Sequence, residues 1–266
     1  MLSINTGPQS QRVEDSLYTW ESRMAKATLE LSSGSSINSA ADNPAGLAVE
    51  LQLLGQATGD SQSIENSQDG ISMLQTADGG LSQTQDLLQQ ARQLQVQSLN
   101  GTLTASDQQA INDQLQQINQ QIDQISGNTQ YNTRNLLDGT ASNISLQTGA
   151  NPGQTTTLSL ANASSAGLGV SGMTANSATT LTSIDAAINQ VSSQRATLGA
   201  SINGLSATVN VQQAAVINMS ASKAAIGDTD MASAASALVQ SQIQSSSGIA
   251  MLTQASNLNS GLVKLL

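Results

Sequence analysis

The chain has 266 residues and a net charge of −10, with 8 Lys and Arg against 18 Asp and Glu, which leaves no cationic footprint for nucleic acid or an anionic membrane. Cys, His and Phe are absent, and Tyr18, Trp20 and Tyr131 are the only aromatics, so disulfides, thiolate or imidazole metal sites and any His-dependent triad are excluded. Small apolar, amide and hydroxyl residues fill the rest, a composition that suits helices with a narrow apolar seam better than a large globular core.

Val13, Leu17, Trp20, Met24, Ala27 and Leu31 alternate steps of four and three, which predicts one amphipathic helix that follows Pro8 and ends near Gly34. Asp42-Asn43-Pro44 offers a second helix start, with Leu47, Leu51 and Leu54 on one face before Gly55 and Gly59 loosen the pattern. A separate long helix is expected from about Ser63 to Leu99, weakly broken at Gly79-Gly80 and stopped at Asn100-Gly101. Ser106-Asp107 is read as the cap of the next, whose seam is Ile111, Leu115, Ile118, Ile122 and Ile125.

Between about Tyr131 and Ala175 the period drops to two. Ile144, Leu146 and Thr148, then Thr156, Leu158 and Leu160, flank the turn sequence GANPGQ and predict a β-hairpin, the only strand-like region read here. Helix returns along Ile184, Ile188, Val191, Arg195, Leu198, Ile202, Leu205, Val209, Gln212, Val216 and Met219. Such regularity predicts a coiled-coil-like partner, and the polar Arg195 and Gln212 either set register or snorkel, the plainer reading being the second. After Gly227-Asp228, a last segment carries Leu238, Ile249, Leu252, Ala255, Leu258, Leu262 and Leu265 near one face, through a Ser-rich stretch of weak helix propensity. Neither terminal helix outweighs its ordering entropy of about 1–2 kcal/mol per residue alone, so each needs a partner, in the same chain or in adjacent copies.

The segment LSSGSSINSAADNPAGLAV resembles the N-terminal signature of bacterial flagellins through Leu31, Ser32, Ser33, Gly34, Ile37, Asn38, Ser39, Ala40, Asp42, Ala45 and Gly46. QDGISMLQTADGGLSQTQDLLQQARQLQVQSLNGT, IDQISGNTQYNTRNLLDG, the hairpin NISLQTGANPGQTTTLSL, SIDAAINQVSSQRATLGASINGL and the closing LVKLL are similar to the family's later blocks, so the resemblance covers almost the whole chain. It implies a mainly α fold, an elongated antiparallel helical bundle or coiled coil formed by the N- and C-terminal halves, with one β-hairpin in the middle. It implies an inner core domain from 1–44 and 227–266 and an outer shell domain from 45–175 and 176–226, without the large outer domains of longer members.

The implied function is a structural subunit that polymerises into the flagellar filament for motility, non-enzymatic and without cofactor. Its implied partners are many copies of itself, the flagellar export apparatus and an export chaperone, and junction and cap proteins. The opening MLSINTGPQSQ lacks a basic region followed by an apolar one, so secretion is expected without a cleaved signal. The expected subunit interface is Val13, Leu17, Trp20, Met24, Leu31, Leu238, Ile249, Leu252, Leu258, Leu262 and Leu265, with Trp20 divided evenly between contact and internal packing. Family members usually carry basic residues at the places of Ser36 and Ala41, so the ion pairs of that turn are expected to be missing. LLQQARQLQVQ resembles the motif read by Toll-like receptor 5, with Arg92 and Leu94 at matching positions. Gln90 and Gln114 stand where charged residues are usual, which implies weak receptor contact.

Glu14-Asp15 and Asp228 with Asp230 read as solvated surface, and Ser220 with Lys223 as a chance S-x-x-K match that lacks its companion motifs. Two other functions fit the terminal helices: a hook–filament junction protein, present in few copies, and a secreted soluble adhesin or ligand, which would be a stable folded monomer.

Overall fold

The computed structural model describes residues 8–264, and side chains from residue 11 to residue 257. Its helices are α1 (Pro8–Ser33), α2 (Pro44–Ser98), α3 (Ala105–Asn128), α4 (Ala178–Gly227) and α5 (Met231–Lys264). Between α3 and α4 stand β1 (Gln130–Tyr131), β2 (Arg134–Asn135), β3 (Ile144–Gln147) and β4 (Thr155–Leu158). The chain divides into two compact units, one of residues up to Gly55 with those from Asn218 onward, the other Gln56–Ile217.

In the Gln56–Ile217 unit the expected seams are the core. Leu74, Leu81 and Leu88 of α2, Ile111, Leu115 and Ile122 of α3, and Ile184, Val191, Leu198 and Leu205 of α4 are buried together, joined by Leu136, Leu137, Leu158 and Leu160 from the irregular region. Full burial of such a side chain contributes about 1.5–3 kcal/mol, which outweighs the modest helix propensity of the Ser, Thr and Asn between them.

The two helices expected over 44–54 and 63–99 are one continuous helix, α2, which passes Gly55, Gly59, Gly79 and Gly80 without a break. Three glycines in the part of α2 that belongs to this unit are where other segments touch its backbone. A Cβ at Gly59 would lie 2.8 Å from the Ala150 Cβ, one at Gly70 2.6 Å from Leu146 Cδ2, and one at Gly80 2.6 Å from Thr129 Oγ1. Removing the side chain lets hairpin and loop dock on the helix, and packing there offsets the roughly 1 kcal/mol that each glycine costs.

The cap of α3 is Thr104, not Ser106, which lies inside the helix. Its hydroxyl accepts from the Asp107 N–H at 3.3 Å, and Asp107 accepts in return from the Thr104 N–H at 2.9 Å and hydroxyl at 2.7 Å. This reciprocal box satisfies backbone donors that the first turn leaves free. The bonds from Thr104, the hydroxyl's first, hold the Asp107 carboxyl below its ordinary range.

β3 and β4 form the expected antiparallel hairpin, with Ile144 opposite Leu158 and Leu146 opposite Thr156. The structure adds a second, smaller hairpin, β1 with β2, turned by Asn132 (φ 47) and Thr133 (φ 64). Both central residues have positive φ, the condition for a two-residue turn that matches strand twist, but Asn-Thr is a weak sequence signal beside Asn-Gly.

The polar positions on the α4 seam do not snorkel. Arg195 donates to Asp78 of α2 at 2.8 and 3.4 Å and to Gln85 at 2.9 Å, and the bond to Asp78 holds its guanidinium charged even more firmly than usual. Gln212 is buried and its Nε2 donates to the Thr148 carbonyl. With Asp60, which accepts from the Ala150 N–H at 3.1 Å, and Asn66, which donates to the Gln147 carbonyl at 3.2 Å, it fixes the end of the β3–β4 hairpin between α2 and α4. Such bonds define alignment, the use of seam polar groups that apolar side chains cannot supply.

Candidate functional site

In the other unit α1 and α5 pack along each other. Val13, Leu17, Trp20, Met24 and Leu31 of α1 are half-buried and Ala27 is buried. Facing positions on α5 are Ala234, Leu238, Ser241, Gly248, Leu252 and Ala255, all buried or half-buried. The Trp20 ring lies on Gly248, where a Cβ would stand 2.6 Å from Trp20 Cζ3 and 3.1 Å from Leu17 Cδ2. Trp20 thus packs within the chain and stays half-buried there.

Ile249 does not share that face. Steps of three and four from Leu238 pass through Gly248, one residue earlier, and leave Ile249 56% exposed. The side chains of Leu258 and Leu262 lie outside the described ones, and Leu265 outside the described residues.

A second set of apolar residues points away from the α1–α5 seam. Tyr18 is 75% exposed and Leu29 is exposed on α1; on α5, Val239, Ile243 (61%), Ile249 and Met251 (65%) are exposed. Ala235, Val239 and Ile243 follow one another at four-residue steps and line a shallow recess with Ser236, Gln240 and Gln244. Single exposed apolar residues are ordinary; these three stand in a contiguous row on one helix.

The signature residues build the turn between α1 and α2. Gly34 (φ 72) ends α1, and the turn then bridges to the α4–α5 connection. The Ser36 N–H donates to the Gly227 carbonyl at 2.7 Å and the Thr229 N–H to the Gly34 carbonyl at 3.0 Å, while the hydroxyls of Ser35 and Ser36 each donate to Gly227 at 3.1 Å. Asp42 accepts from the Ser39 hydroxyl at 3.0 Å and from the N–H groups of Ser39 and Asn38 at 2.9 and 3.2 Å, which holds its carboxyl below the ordinary range. Asn43 Oδ1 accepts from the Gly46 N–H at 2.9 Å, and buried Ile37 fills the space that a Cβ at Gly46 would need. Ser36 and Ala41 carry no charge to pair, but Lys26 of α1 reaches Asp42 of the turn at 3.6 Å, besides Glu30 of its own helix at 3.9 Å.

Arg92 is paired with Asp185 at 2.6 Å, Leu94 is half-buried against the core, and Gln90 and Gln114 are exposed. Glu14, Asp15, Asp228 and Asp230 are exposed, and Asp230 accepts from the N–H groups of Ala232 and Ser233 at the start of α5. Lys223 is paired with Glu50 at 3.5 Å rather than with Ser220. Among the described residues there is no cluster of metal-ligating side chains, and no helix is long and apolar enough to cross a membrane.

Two family models match this chain: the bacterial flagellin N-terminal helical region over residues 4–142 and the bacterial flagellin C-terminal helical region over residues 181–266. The chain belongs to the bacterial flagellin family. Flagellin of Halalkalibacterium halodurans is 38% identical to it over 91% of each chain. The flagellar filament core protein flaB2 of Brachyspira hyodysenteriae is 35% identical over 91% of this chain and 92% of its own. A crystal structure of Bacillus cereus flagellin shares 31% identity, covering 55% of this chain and 88% of that one, with a TM-score of 0.49. This flagellin is a structural subunit of the flagellar filament, and copies of itself are its partners.

Proposed function

We propose that this flagellin joins its filament through the terminal unit, with the α1–α5 seam closing each subunit and the outward rows of α1 and α5 meeting neighbouring copies. The exposed row Ala235, Val239 and Ile243 carries this reading. Burying an exposed Val or Ile side chain is worth about 1.5–3 kcal/mol, a gain that every copy in a helical polymer repeats. The terminal unit is the inner core part, and Gln56–Ile217 the shell part. The protein is secreted through the flagellar export apparatus with a chaperone, acts outside the cell and meets junction and cap proteins at the filament's ends. It has no catalytic role.

A filament subunit is favoured over a junction protein by the extent of the match to flagellin family models at both ends. Receptor 5 contact is weak, because Gln90 and Gln114 supply no charge and Arg92 is already committed to Asp185. Deleting residues 231–266 is the test: the truncated chain is expected to stay soluble and unpolymerised by sedimentation. Filaments of normal yield from that chain would refute the assembly role given to α5.

A further inference from the structure

Two Asn-Gly pairs occur in the sequence, and the fold places them in opposite chemical situations. Asn100-Gly101 stands in the turn between α2 and α3, and both residues are exposed. The turn holds Asn100 in place: its N–H donates to the Gln97 carbonyl at 3.1 Å and its own carbonyl accepts from Leu103 at 3.2 Å. The Thr102 N–H donates to Asn100 Oδ1 at 3.3 Å, which polarises the side-chain amide and makes its carbon more electrophilic. The Gly101 N–H donates to no acceptor among the described residues, and its Cα faces open space. Asn203-Gly204 is equally exposed but lies deep inside α4, where the Gly204 N–H is committed to the carbonyl four residues back and helical ψ turns it away from the Asn203 side chain.

We propose that Asn100 is a self-modifying site, where the Gly101 nitrogen converts the side-chain amide to a carboxylate without an enzyme. The backbone nitrogen of Gly101 attacks Asn100 Cγ, the Cγ–Nδ2 bond breaks, and the departing nitrogen takes up the Gly101 proton and leaves as ammonia. The cyclic imide that forms is opened by one water molecule, giving aspartate or, when the other carbonyl is attacked, isoaspartate. Each event adds one negative charge to a chain that already carries −10 and puts it just past the C-terminal end of α2, where the helix dipole is negative. Isoaspartate also lengthens the backbone of the turn that leads into α3. Polymerised copies of this chain therefore gain charge with age.

Asp138-Gly139 is a third candidate that the fold protects. Asp138 accepts from the Thr140 hydroxyl at 2.6 Å and N–H at 2.9 Å, bonds that keep it ionised, and a carboxylate resists nucleophilic attack.

The test holds the full chain in mildly alkaline buffer, native and in denaturant, and follows each site by peptide mapping that separates Asn, Asp and isoaspartate. In the native chain Asn100 is expected to convert at least about tenfold faster than Asn203, because reaction at Asn203 requires local opening of α4. In denaturant the two rates converge. Gly101→Ala, which open space accommodates, slows Asn100 by a similar factor without altering Asn203. Equal native rates at the two sites overturn the proposal. So does an Asn100 that stays unconverted while the denatured reference reacts, or a Gly101→Ala chain that reacts at the parent rate.

Discussion

Gly79 and Gly80 are neighbours in α2 with opposite roles. Gly79 faces open space, whereas a Cβ at Gly80 would meet Thr129 Oγ1 at 2.6 Å and Leu137 Cδ1 at 2.7 Å. Gly79→Ala is expected to stabilise the protein by up to about 1 kcal/mol, the difference in helix propensity. Gly80→Ala gains the same propensity but forces two side chains aside, and overpacking costs about 1–3 kcal/mol, so it is expected to destabilise. Denaturant midpoints of the two variants check this, and a shift in the same direction would contradict the docking role of Gly80. Gln212→Leu tests the seam in the same way. It leaves the Thr148 carbonyl without its partner, at an expected cost of about 1–3 kcal/mol measured by thermal melting.

Among the helices, the cap of α3 couples stability to acid. The Asp107 carboxyl titrates lower in the folded chain than in the unfolded one, where it ionises near about 3.9. Its contribution is therefore complete above that unfolded value and is lost as pH falls through the folded one. Thr104→Ala removes the hydroxyl bonds, the larger cause, and keeps the backbone one, so the variant is expected to melt lower than the parent at neutral pH and to lose less Tm on acidification. Asp42 and Asp138 titrate in the same direction, so the parent's acid slope is reduced in the variant rather than abolished. At the α1–α5 seam, Gly248→Val drives a side chain into Trp20 and is expected to lower the melting temperature, whereas Gly55→Ala, which faces open space, leaves the fold intact.

These helices show what the sequence makes legible. Three-and-four spacing located the seams of α1, α3 and α4 because burial demands that period. The same rule misjudged α2, since glycines that break a helix in isolation serve here to admit the β3–β4 hairpin and the Thr129 loop, partners far away in sequence. It also grouped Ile249 with the Leu238 face of α5, because Gly248 has no apolar side chain to count. The β1–β2 turn left no glycine signal at all, and the roles of Arg195 and Gln212 depended on acceptors in α2 and the hairpin.

Taken as a subunit, the chain closes one apolar face by its own packing and leaves another open. Leu17, Trp20 and Gly248 meet within the molecule, while Val239, Ile243 and Met251 remain exposed on α5. Filament assembly accounts for the exposed row if neighbouring copies cover it. The decisive measurement is sedimentation of polymerised protein carrying Val239→Asp and Ile243→Asp, with circular dichroism of the same sample. The double variant is expected to keep the helix content of the parent, because both side chains already face solvent, and to leave no pelletable filament. Filaments of normal length and yield from that variant would show that the row takes no part in subunit contact.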